Sequence, residues 1–152
     1  MLKKPCMTMG LGMAVALLLT AGAQKPQFSL RIHVEAGDQI RDERVVPVSL
    51  VNPDEIIRLQ KLPVLTEKNL MAATTTGTGG LLLGFNQAGR HALETVTRTE
   101  MGKTLVLIVN GRVLYAAEID MPMSSGRFLI PGGMDEADIA LLEAYIEQRK
   151  KL

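Results

Sequence analysis

Residues 104–133 read TLVLIVNGRVLYAAEIDMPMSSGRFLIPGG, and their reading decides the fold. Residues 105–109 are a run of aliphatics, and Asn110-Gly111 then supplies two residues that tolerate positive φ, as a tight type I′ hairpin demands. A hairpin is therefore predicted, with a return strand over 112–119. Met121-Pro122 and a Ser124-Ser125-Gly126 turn follow, then a third short strand at 127–130 that Pro131-Gly132-Gly133 ends. None of this is a catalytic motif.

The 152 residues allow one domain, and a 47% hydrophobic content supplies a core. Residues 1–23 read as an export signal: Lys3 and Lys4, an apolar run over 11–19, then Ala21-Gly22-Ala23, a small-x-small cleavage pattern. That run is too short to span a bilayer. Cys6 precedes it instead of closing it, so lipidation is not expected. Cleavage after Ala23 leaves residues 24–152 as a mature chain without cysteine or membrane span, which excludes disulfide and thiol chemistry. Loss of Lys3 and Lys4 leaves 15 basic against 16 acidic residues, so no nucleic-acid partner is implied. With 3% aromatics and no tryptophan, base-stacking and sugar-binding platforms are disfavoured as well.

Elsewhere, Phe28, Leu30, Ile32 and Val34 alternate with Ser29, Arg31, His33 and Glu35, a half-buried strand with the second set in water. A second strand is expected at 45–51, with Pro47 marking an edge or a bulge, and Asn52-Pro53-Asp54 turns into a third over 55–59. Thr66 caps a single helical turn over 68–71. Residues 72–76 and 81–85 flank Gly77-Thr78-Gly79-Gly80 as a glycine-turned hairpin. Asn86 then caps a helix over 87–100 whose apolar side carries Ala88, Ala92, Leu93, Val96 and Thr99, with Gly102 ending it in the left-handed conformation. A last helix runs over 135–149. Its broad apolar set of Ala137, Leu141, Leu142, Ala144, Tyr145 and Ile146 predicts a well-buried element, and Arg149, Lys150 and Lys151 complement its dipole.

From residue 83 to 145 these devices follow one another in a familiar order. Phe85-Asn86 leads into a helix with Gly89 and Thr97; Gly102-Lys103 and Leu105 open a strand; Asn110-Gly111-Arg112-Val113 turns it. Ala116, Ile119, Pro122, Gly126, Ile130-Pro131-Gly132 and Glu136-Ala137 complete the series. The stretch resembles the head part of the large periplasmic domain of SecD, a subunit of the SecDF accessory complex of the bacterial preprotein translocase. The resemblance implies a single α+β domain, an antiparallel or mixed sheet with helices on one face, which agrees with the order of elements read from the residues. Ala116-Ala117 replaces the family's Ala-Pro. SecD also carries a membrane bundle through which proton flow is thought to drive export, and no such bundle is read here. The translocase mechanism is therefore not carried over, and the expectation is a free-standing, exported head-type domain.

Candidate chemistry is weak. Gly102-Lys103-Thr104 looks like the tail of a phosphate-binding loop, but position 97 is threonine and a helix precedes where one should follow. The glycines of 77–84 lack dinucleotide-binding spacing and read as turns. His33 and His91 fall on predicted exposed faces of different elements, with no third ligand in register, so no metal site is expected. Ser124 and Ser125 lie in a turn without a nucleophile's setting, and Glu118 and Asp120, on one strand face, read as a solvated rim. Met121 and Met123 offer adaptable apolar contact, with core packing as the plainer role. No catalytic, cofactor-binding or metal residue is nominated, and no cofactor is expected. The expected function is non-enzymatic: binding of extended polypeptide by strand addition, with 45–51 as the favoured edge, or else docking on an envelope or secreted protein partner. A small hydrolase has only scattered polar residues behind it.

Overall fold

The computed structural model describes residues 27–51 and 54–152. The predicted export signal at 1–23 and the first two residues of the predicted Asn52-Pro53-Asp54 turn lie outside these residues. In chain order come strands β1 (Leu30–Val34), β2 (Val45–Val51), β3 (Asp54–Gln60), β4 (Leu65–Thr66), β5 (Leu70–Thr75) and β6 (Leu81–Phe85). Helix α1 (Gln87–Thr99), strands β7 (Thr104–Val109), β8 (Arg112–Glu118) and β9 (Arg127–Ile130), and helix α2 (Glu136–Lys150) complete the set.

The predicted hairpin forms, with Asn110 at φ 49° and Gly111 at φ 79°, the two positive values a type I′ turn requires. A register shift between Leu107 and Ile108 leaves Leu114 of β8 unpaired as a bulge, which adds local twist. β1 pairs with the other side of β7, and β4 with β1, giving a main sheet of order β4-β1-β7-β8. β5, β6 and β9 make a second sheet, and β2 and β3 a separate two-stranded ribbon; each recorded pairing is antiparallel.

The large core lies on one face of the main sheet. Leu30, Ile32 and Val34 of β1 and Leu105, Leu107 and Val109 of β7 pack there with Leu83, Phe128 and Ile130 of the second sheet. Leu93 of α1 and Leu142 and Ile146 of α2 join them, so both helices serve that face. The opposite face is covered by the ribbon: Leu50, Ile57 and Leu59 close over Val106, with Val48, Ile108, Val113 and Ala116 around them. This explains the unbroken aliphatic run in β7, because a strand buried on both faces has no polar alternation to keep.

Several expectations change. The short helical turn lies at Glu67–Asn69, capped by Thr66 and Asn69 reciprocally, and Leu70 and Met71 already belong to β5. α1 turns Gly89, Leu93 and Thr97 fully inward, with Ala92 and Val96 half-buried, whereas Ala88 and Thr99 are exposed. The helix is rotated because Gly89, lacking a side chain, lets it approach Asn69 and Phe85 closely. α2 is a surface helix and not a well-buried one: Ala137 and Ala144 face water, and the inward stripe is Asp138, Leu142 and Ile146. Asp135 caps it, accepting from the Asp138 amide at 2.8 Å. Near its end Glu147 pairs with Lys150 at 2.9 Å, and this hydrogen bond and charge, helped by Lys151, hold the exposed carboxyl below its usual range.

Candidate functional site

The alternation of β1 sends Ser29, Arg31 and His33 to the face that the ribbon covers. Arg31 lies directly across from Ile108, and His33 across from Val106. The ribbon lowers a matching apolar face, because Val46 and Val48 on β2 register with Leu59 and Ile57 on β3, and Leu50 extends it. Its attachment is firm at one end, where the Ala36 amide donates to the Arg58 carbonyl at 2.7 Å and Glu35 bridges to Leu59.

The result is a cleft of about 560 Å³ lined by Ser29, Arg31, His33, Val46, Val48, Leu59, Lys61, Ile108 and Gly111. Its floor is aliphatic and its polar wall is basic; no carboxylate lines it. Val46 is 40% exposed although it lies on the ribbon's inward face, which marks where the apolar surface stays open. His33 was expected in solvent, but the ribbon buries it to 8% exposure. Its Nδ1 lies 2.8 Å from the Gln60 carbonyl, which accepts only, so Nδ1 carries the proton and the ring is pinned. The alternation in 28–35 could not reveal this, since what covers the second face comes from residues 45–60. The available signal was the apolar pattern 46, 48, 50 with 57, 59, which needed a surface to cover.

A second cavity of about 790 Å³ adjoins through Lys61 and is lined by Gln39, Ile40, Arg41, Arg44, Gln60 and Leu62 as well. The Lys61 amide donates to the Arg44 carbonyl at 2.7 Å and fixes these loops together. Of the edge and the bulge that Pro47 allowed, the structure has the edge: β2 pairs with β3 alone and without a register shift, so its outer edge is unpaired among the described residues. The outer face of the second sheet is also open, a shallow depression of about 280 Å³ over Ala72, Thr74, Leu82, Gly84 and Arg127, with Leu129 beside it and 52% exposed.

The polar residues weighed in the sequence do not converge. His91 is exposed on α1, far along the chain from buried His33, and no grouping of three or more His, Cys, Asp or Glu suited to a metal ion occurs among the described residues. Ser125 Oγ accepts from the Arg127 amide at 3.2 Å and the Ser124 carbonyl accepts from Arg90 Nε at 2.7 Å, both of them turn contacts. Glu118 and Asp120 are exposed at the end of β8. Met123 packs on the large core, while Met121 is exposed. Gly102 takes φ 80° to end α1, and Lys103 pairs with Glu100, which leaves no phosphate cradle there.

Residues 36–147 match the family model for the SecDF P1 head subdomain. The chain belongs to this family. The SecDF P1 head match begins well before residue 83, where the sequence resemblance started, and takes in the ribbon and the second sheet; β1, with Arg31 and His33, precedes it. The protein translocase subunit SecD of Acetobacter pasteurianus is 30% identical over 81 residues, which are 51% of this chain and 16% of that protein. A solved structure of SecDF, described as a membrane component that enhances protein export, superposes with a TM-score of 0.56 at 21% identity, covering 78% of this chain and 63% of that one. SecDF in a super-membrane-facing form gives 0.53 at 21% identity, covering 78% and 18%. The chain thus spans about a sixth of the SecD relative's length, and the solved structures share its fold. No helix among the described residues is long and apolar enough to cross a membrane.

Proposed function

We propose that this SecDF P1 head domain is an exported, periplasmic, non-enzymatic module that assists protein export by holding extended polypeptide. The observation that carries this reading is the open outer edge of β2 beside the aliphatic cleft under the ribbon. An extended chain adding to such an edge gains main-chain hydrogen bonds whatever its sequence, while the cleft receives side chains. Family membership supports the export setting, and the dispersal of His33, His91, Ser124, Glu118 and Asp120 supports binding without turnover. Micromolar or weaker affinity suits so small a contact, about −8 kcal/mol or less in magnitude.

Titration with an unfolded polypeptide, followed by NMR, tests the reading. Amide shifts are expected along β2 and around Val46, Val48 and Ile108, and Glu118→Gln or Asp120→Asn leaves them unchanged. Absence of shifts at millimolar peptide removes polypeptide holding. It leaves the second reading, docking on an envelope partner, for which the open face around Leu82, Arg127 and Leu129 is the supporting feature. Export itself is tested by mass spectrometry of periplasmic material, where the chain is expected to begin at Gln24.

A further inference from the structure

We infer that the cleft under the ribbon selects polypeptide segments in which acidic residues flank an apolar one, with Arg31 and Lys61 receiving the carboxylates; this rests on the polypeptide-holding reading. The lining divides by chemistry. Val46, Val48, Leu59 and Ile108 form an apolar floor, and Arg31 and Lys61 stand at its margin with no acidic residue in the lining to neutralise them. Both cations are exposed, and among the described residues neither forms an ion pair, whereas Arg58, Arg98, Lys103, Arg112 and Lys150 all do. The positive wall extends into the adjoining cavity through Arg41 and Arg44. Asp42, the carboxylate between them in sequence, is held by Arg58 at 2.6 Å, and neither Asp38 nor Glu43 lines either cavity.

The register supplies a spacing rule. Arg31 is the direct cross-strand neighbour of Ile108, so the Cα atoms of the basic residue and the floor residue are one strand apart, about 5 Å. In an extended guest, residues two apart project to the same side about 7 Å from each other. With an apolar side chain seated on Ile108 and Val48, a carboxylate two positions away lies within the span of the long Arg31 and Lys61 side chains that line the same cleft. His33 takes no part in charge recognition through Nδ1, which the Gln60 carbonyl occupies. Partly exposed ion pairs are individually weak and are screened by salt. The selectivity is accordingly modest, on the order of tenfold for two pairs together.

The test uses three unstructured peptides, identical except that the positions two before and two after a central leucine are Glu, Gln or Lys. With the purified protein at low salt, the Glu peptide is expected to bind about tenfold tighter than the Lys peptide, with Gln between them. The gap should close at about 0.5 M salt. Combined Arg31→Glu and Lys61→Glu, on exposed side chains and with an unchanged circular dichroism spectrum as control, should invert the order. Equal binding of all three peptides overturns charge selection while polypeptide holding stands; an order unchanged in the double variant overturns the assignment to Arg31 and Lys61. Failure of every peptide to bind at millimolar concentration takes the underlying reading with it.

Discussion

Asn110 does more than turn a hairpin. Its backbone takes φ 49°, its Oδ1 accepts from the Ser29 amide at 3.0 Å, and its Nδ2 donates to Asp138 Oδ1 at 2.7 Å. One side chain thus ties the start of β1 and the first turn of α2 to the tip of β7–β8. Asp-Gly serves a type I′ turn as well as Asn-Gly, so turn chemistry alone predicts that Asn110→Asp is harmless. The structure predicts otherwise, because aspartate cannot donate to Asp138 and sets a second carboxylate against one that is 5% exposed. Arg112, which also pairs with Asp138, offsets part of the repulsion. A loss of about 1–3 kcal/mol is expected in urea unfolding at neutral pH. An equal stability of the two proteins would reduce Asn110 to a turn former. At Gly89 two effects compete. Alanine in a helix interior gains about 1 kcal/mol over glycine, but its Cβ would lie 2.9 Å from the Cβ atoms of both Asn69 and Phe85, which cannot swing aside without moving backbone. Overpacking of about 1–3 kcal/mol wins, and Gly89→Ala should lower the melting temperature.

Among the elements, the strands around the glycine and proline punctuation were legible, and the packing of their faces was not. β2, β9 and the Asn110-Gly111 turn fall where local patterns put them, since turn chemistry and alternation are encoded within a few residues. Which side of α1 turns inward depended instead on a partner distant in sequence. Thr97 shows this: it looks like one more polar helix residue, yet it is fully buried, donating to the Leu93 carbonyl at 2.8 Å and accepting from the Met123 amide at 2.9 Å. It fastens the segment between β8 and β9 to the helix. Thr97→Val preserves shape and leaves the Met123 amide unpaired, for a predicted cost of about 1 kcal/mol or somewhat more. Thr97→Ser should keep slow exchange at the Met123 amide while Thr97→Val accelerates it, which separates loss of the bond from loss of packing.

For the whole molecule, the class was legible because alternating strands, two capped helices and their order restrict the architectures available. Its division into two sheets and a ribbon was not, since each part requires knowing which strands decline to pair. The cleft was hidden for the same reason: its basic wall comes from β1 and from Lys61 just past β3, its floor from β2, β3 and β7, and only the folded ribbon brings them together.

The ribbon rests on a cluster of Leu50, Ile57, Leu59 and Val106, far smaller than the core on the sheet's other face. Lifting it exposes that cluster and His33 and leaves the larger core covered, so the molecule should open in two tiers with different free energies. Native-state hydrogen exchange is expected to show ribbon amides exchanging through a local opening well below the global cost, and β1 and β7 amides only through complete unfolding. Any guest in the cleft binds the closed flap alone and so must slow the first class by mass action. The second class, up to the point where global unfolding is itself suppressed, reports nothing of the guest, which makes the flap a built-in gauge of occupancy.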